Sequence, residues 1–447
     1  MGGFAHFRPG VFTGAPVQVA RPRLDTPPLG QKNPDMTTPR APGRRRASHR
    51  RNLLRGLGAA AFAMAVWLTV NGAGCASSGS GTGPKIDQQH PAQAEAHYRR
   101  ALARNPNDAE AHLGLARALA EQGRVDEAAV QFQRAETLDA RLARDVAESR
   151  RHYARTFTDR AAADLDQGRI DAAEAALHRA RTLAPEDPKV SSLEGRLAEK
   201  RNDVESALTA YRQAWAGGLH DDATRNGLVN ALTATAQGEY DRGDYADAWK
   251  LLQEVTRVDP HADVQDLMGT VAYGWAQNSP DADRAGHLDQ AVEAFRAYLD
   301  RNPDDQDAKF NLATVLLAAQ RYGEAADLYE DLIAHDRTDG DLYLALARVH
   351  GFLGEGALAQ TEEAVGRALR AGQPVKDPSG WARRSAERFP DSDLASVYYD
   401  LLAPEAVYTY TLPGGSLVEV WFYWKKGTAE AFRDGGRIGP ALALPRP

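Results

Sequence analysis

Residues 109–142 read AEAHLGLARALAEQGRVDEAAVQFQRAETLDARL. Leu115, Ala116 and Leu119 fall on one helical stripe, and Ala128, Phe132 and Ala135 on a second. Gly123 separates the stripes, and Arg124-Val125-Asp126-Glu127 opens the second. The stretch therefore predicts two amphipathic helices joined by a tight turn.

The second stripe recurs as a small residue, a bulky one four positions on, and a third three positions later. The copies are Ala94/Tyr98/Ala101, Ala128/Phe132/Ala135, Ala173/Leu177/Ala180 and Ala207/Tyr211/Ala214. They continue as Ala248/Leu252/Val255, Ala291/Phe295/Tyr298 and Ala325/Tyr329/Leu332, with an eroded Ala364/Ala368/Ala371. Small residues let helices approach, and the bulky one fills the space between hairpins. Pro106, Pro185, Pro260 and Pro303 follow at a constant offset, with Pro374 early, and stop each helix. Asp108, Asp187 and Asp305 then stand where the next helix needs an N-cap, with Pro188 just inside. In the first helices Gly195 and Gly269 fill a small slot that Ala116 and Ala313 fill elsewhere. Period and pattern resemble the tetratricopeptide repeat family over roughly residues 92–372. The resemblance implies a mostly α fold: a solenoid of about eight helix pairs that presents a concave face to other proteins.

The array is irregular. Residues 143–153 add about three helical turns, residues 278–287 (NSPDADRAGH) read as a loop interrupting the sixth pair, and residues 354–360 lengthen the eighth. Residues 222–240 read as one long first helix.

Charge is divided along the chain. Residues before Cys75 carry net +9 against −7 for the whole, which leaves −16 for the remainder. The acidic body argues against nucleic-acid binding. Residues 1–42 are rich in Pro and Gly and read as disordered or as a mis-assigned start, Met36 being the alternative. Residues 43–75 read as an export signal, with arginines at 44–46 and an uncharged apolar run over 56–70. Arg50-Arg51, followed by Leu53-Leu54, resembles the twin-arginine motif, with general secretion as the alternative. Gly72-Ala73-Gly74 before Cys75 resembles the bacterial lipobox, departing at Gly72 where Leu is usual. Cys75 is the single cysteine, so the chain forms no internal disulfide, and a Gly/Ser-rich tether occupies residues 76–91. The resemblance implies lipidation at Cys75 and, with Ala76 following it, an outer-membrane lipoprotein facing the periplasm or the cell surface.

No catalytic constellation, metal motif or cofactor-binding loop emerges. Twelve His are scattered, no His-Glu-x-x-His run occurs, and Asp281-Ala282-Asp283 is too short for a Ca²⁺ loop. Acidic pairs such as Asp304-Asp305 fit helix starts. The expectation is no enzyme, no cofactor, no metal and no nucleic acid. Family members that grip a C-terminal carboxylate use Asn and basic residues on first helices. Arg117, Arg196, Asn226 and Asn311 are the candidates here, although the full clamp is not assembled in adjacent repeats.

Past Asp377 the period fails, and residues 378–447 form a separate piece. Two helices are expected over 380–389 and 392–402. Alternation then predicts strands over 407–412, 416–424 and 428–433. In the second strand Val418, Val420, Phe422 and Trp424 point one way and Glu419, Trp421 and Tyr423 the other. Such a meander either caps the solenoid or exposes an aromatic face, with Trp421, Tyr423, Tyr408 and Tyr410, to a partner.

Three function classes follow. The leading one is a membrane-tethered interaction scaffold of the bacterial cell envelope. Relatives of this kind serve outer-membrane protein assembly, secretin or pilus biogenesis, and polysaccharide export. The alternative makes the C-terminal β-region a ligand-binding or catalytic module with the repeats as recognition arm, and a purely structural or self-associating role is the third. If the twin-arginine route operates, Arg50→Lys with Arg51→Lys keeps the charge but abolishes export, read as loss of the processed protein from the envelope fraction. Unchanged processing would assign the leader to general secretion.

Overall fold

The structure is a computed structural model, and it describes residues 90–445. The leader, the export signal, the lipobox with Cys75 and all but the last two positions of the tether lie outside the described residues.

Helices alternate in role along the solenoid. First helices are α2 (Ala109–Glu121), α4 (Ala143–Asp166), α6 (Pro188–Lys200), α8 (Asp222–Arg242), α10 (Gln265–Asn278), α12 (Gln306–Ala318) and α14 (Gly340–Leu353). Second helices are α1 (Pro91–Arg104), α3 (Val125–Leu138), α5 (Ile170–Leu183), α7 (Val204–Ala216), α9 (Tyr245–Val258), α11 (Asp281–Leu299), α13 (Tyr322–His335) and α15 (Gly356–Ala371). The described residues thus hold seven complete pairs preceded by the second helix α1.

Helix ends follow from the side chains at them. Asp108, Asp187 and Asp305 accept from the backbone N–H of Ala111, Lys189 and Ala308, and Asp203, Asp221 and Asp339 do the same for α7, α8 and α14. Gly123 adopts φ 75° and ends the α2 pair's first helix, a conformation that costs a Cβ-bearing residue energy.

Packing depends on pairing a small residue with a large one. Tyr211 is buried between α6 and α8, and a Cβ placed on Gly227 would lie 2.2 Å from its ring, one on Gly195 2.9 Å. Phe295 fills the same role against Gly269, at 2.6 Å. Phe132, Ala128 and Ala135 are fully buried.

The segment at 278–287 departs from expectation. It is not a loop: α11 begins at Asp281, and Ser279-Pro280 alone joins it to α10. The composition that signals a turn also suits a helix start, with Pro280 just before the first turn and Asp281 and Asp283 within it.

Beyond α15 come α16 (Pro378–Arg388) and α17 (Asp393–Leu401), then an antiparallel sheet. Its main strands are β2 (Ala406–Thr411), β3 (Leu417–Tyr423) and β4 (Thr428–Arg433). Three two-residue strands extend it: β1 (Gln373–Pro374) pairs with β2, while β5 (Gly436–Arg437) and β6 (Leu442–Ala443) pair with β4. These short strands carry no alternation and were not legible in the sequence.

Both faces of the sheet are covered. Val418, Val420 and Phe422 join a core with Ala364, Val365 and Ala368 of α15, so the solenoid and the sheet share one hydrophobic interior. Trp421, Tyr423 and Phe432 join Ala382 and Ala386 of α16 and Leu394 of α17. The expectation that Trp421 and Tyr423 form an exposed docking face is therefore corrected: they are 0% and 2% exposed. Tyr408 and Tyr410 lie opposite Val420 and Val418, which puts them on the solenoid side instead. A small sheet with two apolar faces is marginal unless both are packed, and the two short helices supply the second layer. Glu419 ties that layer down, accepting from Trp381 Nε1 at 2.8 Å, Ser385 Oγ at 3.0 Å and Trp421 Nε1 at 3.2 Å.

Phe132→Ala should destabilise the protein by about 3–5 kcal/mol, as truncation of a buried Phe does. Hydrogen exchange should show the loss concentrated in α2 to α5 and fading along the array, because coupling in a solenoid runs between neighbours.

Candidate protein-binding site

The repeat spacing is broken at several places and most at α4. Tyr98 to Phe132 and Leu177 to Tyr211 are each 34 residues, whereas Phe132 to Leu177 is 45. The eleven additional residues do not bulge; they lengthen α4 to 24 residues. Its N-terminal half pairs with α2: Arg117 Nε donates to Ser149 Oγ at 2.9 Å, and the Tyr153 hydroxyl donates to Glu121 at 3.2 Å. Its C-terminal half pairs with α6: Lys189 donates to Asp159 at 3.2 Å and Arg196 to Asp166 at 2.7 Å. One helix carries two registers, so the array steps along the α4 axis by about 16 Å, at 1.5 Å per residue. A smaller step occurs at the 21-residue α8.

The step opens clefts. One of about 370 Å³ lies where α2 ends and α4 continues, lined by Gly123, His152, Tyr153, Phe157, Arg160 and Arg179 among others. A second, of about 430 Å³, shares Gly123 and Arg179 and adds Val125, Asp126 and His178. A third, of about 440 Å³, is lined by Ala147, Arg150 and Arg151 with the turn after α5.

The residues nominated from the sequence do not gather in one place. Arg117 and Arg196 both reach α4, but at positions 149 and 166, about 25 Å apart along a helix. Asn226 is exposed on α8. Asn311 is fully buried, as is every residue from Phe310 to Leu316 of α12, so its amide is not available to a ligand on the surface. Trp421 and Tyr423 are in the core described above. The residues that shape the step clefts, Phe157 and Arg179, were missed. The signal that locates them is the 45-residue spacing, since extra residues inside a helix must shift one neighbour against the other.

Farther along, the starts of α10 and α12 bring together Asp263, Asp266, Asp305 and Asp307. The Tyr298 hydroxyl donates to Asp305 at 2.9 Å. Asp266 is 8% exposed, and its Oδ1 is without a hydrogen-bond partner. Burial pushes its carboxyl up to about 6, and the charges of Asp305, Asp263 and Asp307 add to the shift. At the C-terminal end a cleft of about 630 Å³ separates α14 and α15 from β2, but its cations are already engaged, Arg367 by Glu363 and Arg370 by Asp341. Among the described residues no group of three or more His, Cys, Asp or Glu could hold a metal ion.

The tetratricopeptide repeat family pattern matches residues 85–143, 158–218 and 278–341. The solenoid is built of tetratricopeptide repeats. The match lapses inside α4, where the register changes, and across residues 219–277, which hold the long α8. Among solved structures the tetratricopeptide array is similar to YrrB, described as a TPR protein with an unusual peptide-binding site. That similarity is 15% identity and a TM-score of 0.33, covering 44% of this chain and 92% of that one. It is similar to pilF of Pseudomonas aeruginosa at 16% identity and TM-score 0.26, covering 56% and 99%. It is also similar to PilW, described as a widely conserved type IV pilus biogenesis factor, at 13% identity and TM-score 0.27, covering 55% and 98%. No curated protein matches the sequence. Proteins with such repeats typically serve as protein-interaction scaffolds.

Asp266 gives a pH test. Its folded-state value lies above the ordinary carboxylate value, so the charged form disfavours folding. That penalty is fully present above pH 6, shrinks as the pH falls through 6 and is gone below about 4. Asp266→Asn should raise stability at pH 7.5 by about 1–3 kcal/mol and leave it unchanged near pH 4, as denaturant titrations at the two pH values would report.

Proposed function

We propose that the protein is a membrane-tethered adaptor of the bacterial cell envelope, lipidated at Cys75, whose repeats hold partner proteins. The observation that carries the adaptor reading is the step at α4. It turns a uniform stack into one with side-chain-sized clefts beside exposed first-helix residues, at a point where the array departs from its own period. The sheet beyond α15 supports the same reading: it closes the apolar end of the stack, leaving the sides of the helices for contact. No helix among the described residues is long and apolar enough to cross a membrane. The resemblance of Gly72-Ala73-Gly74-Cys75 to a lipobox supports tethering there, with the Gly/Ser-rich run after it as a linker to the repeats. The expected station is the outer membrane, facing the periplasm or the cell surface.

Cys75→Ser should move the protein from the membrane to the soluble envelope fraction, with the helical circular-dichroism signal and the melting temperature unchanged. In the same cells, partners cross-linked to the wild-type chain should lose their enrichment at the membrane. A Cys75→Ser chain that stays in the membrane fraction would assign attachment to a different segment.

A further inference from the structure

Two arginines at the α4 step differ from the rest. Among the described residues, Arg150 and Arg179 are the half-buried arginines that make neither a hydrogen bond nor an ion pair. Each guanidinium instead lies over an aromatic ring, Arg150 at 5.8 Å from the centre of Phe132 and Arg179 at 5.9 Å from that of Phe157. The Arg150 Nε is buried without a partner. Removing a cation from water without giving it an anion costs stability, and a ring face returns only part of it. A carboxylate delivered by a ligand would return the rest through two parallel N–H···O bonds.

Most of the acids close by are already committed, and Asp126, which lines the adjoining cleft with Arg179, makes no ion pair with it. Glu121, on the rim of the Phe157 cleft, accepts from the Tyr153 hydroxyl. Glu127, in the adjoining cleft, is held by Arg124 through two bonds of 2.7 and 2.6 Å. Asp164 takes Arg169 and, at 3.8 Å, Arg160. Arg151 and Arg155, exposed on the same helix, have no acidic partner. Among the described residues, Arg150, Arg151, Arg155 and Arg179 thus stand at the step without an ion pair, in a chain whose body is acidic, and the complement of those guanidinia is an anion.

We propose that the step at α4 binds an acidic peptide segment of a partner protein, with an apolar side chain in the Phe157 cleft and a neighbouring carboxylate on Arg179. The proposal rests on the adaptor reading and names the chemistry of what the adaptor takes. The site lies at the junction of two helix pairs, with Phe157 on the first helix α4 and Arg179 on the second helix α5. A cleft of about 370 Å³ with an aromatic floor accommodates one or two side chains. A nucleic acid would call for a continuous basic track, and an anionic membrane for a flat one; here the two unpaired guanidinia are recessed.

The test uses the full chain in detergent and fluorescence anisotropy. Three probes are compared: labelled octapeptides with Leu or Phe flanked by Asp and Glu, the same peptides with Lys for each acid, and vesicles containing phosphatidylglycerol. The acidic peptides should bind at least about tenfold tighter than the lysine set and weaken as salt is raised. Arg179→Glu should weaken them at least about tenfold with little change in the melting temperature, since Arg179 makes no hydrogen bond or ion pair among the described residues and loses only its contact with the Phe157 ring, and Arg150→Glu should weaken them less. If Arg179→Glu melts early, Arg179→Gln, which removes the charge at similar size, gives the same reading. Equal binding of the two peptide sets, an unaffected Arg179→Glu, or binding to vesicles alone would overturn the proposal. Failure of the adaptor reading looks different: cross-linking in cells would then recover no partner with the wild-type chain. If only the present inference fails, wild type and Arg179→Glu recover the same partners.

Discussion

The interlock of a small residue with a large one across neighbouring helix pairs holds this protein together. Tyr211 sits between Gly195 and Gly227, so close that a methyl group at Gly227 would overlap its ring. Phe295 depends on Gly269 in the same way. Because each bulky ring packs against the next pair as well as its own, no hairpin is stable alone, and the stack propagates by nearest-neighbour contact. That constraint also explains why the stack needs an end. The last pair would leave Ala364, Val365 and Ala368 facing water, and the sheet's Val418, Val420 and Phe422 cover them.

The same constraint shapes the departures. A solenoid cannot absorb eleven extra residues inside a first helix without disturbing one of its neighbours. α4 keeps both contacts by using its two halves for different partners, Ser149 and Tyr153 toward α2, Asp159 and Asp166 toward α6. Residues that would be covered in a regular array are then left at a junction. Arg179 is of this kind: it lies over the ring of Phe157 and, among the described residues, has neither a hydrogen-bond nor an ion-pair partner. In an adaptor, an unfilled junction of this kind is where a partner gains most by binding.

The C-terminal piece is a layered cap and not a free module. Its sheet is buried from both sides, by α15 on one and by α16 and α17 on the other, and Glu419 joins strand to helix through three donors at its buried carboxylate. A charged group in that position is tolerated because its oxygens are hydrogen-bonded. The aromatic run over 421–424 is therefore divided between two cores, with Trp421 and Tyr423 facing one and Phe422 and Trp424 the other.

The repeat signature was enough to recover the helix pairs, their caps at Asp108, Asp187 and Asp305, and the long α4 and α8, and alternation recovered the three main strands. Periodicity and capping are local properties, and a helix stripe reports its buried face wherever the helix goes. The clamp resemblance put Asn311, and strand alternation put Trp421 and Tyr423, on a candidate contact surface that tertiary packing then covered. Burial of a second face depends on which element folds over it, and no spacing within β3 announces α16. The two-residue strands, the helical start at Asp281 and the unpaired state of Arg150 and Arg179 were likewise decided by the tertiary structure. Whether a polar group has a partner is a property of what stands opposite it, and at the α4 step what stands opposite was set by a shift of eleven residues in the helix between.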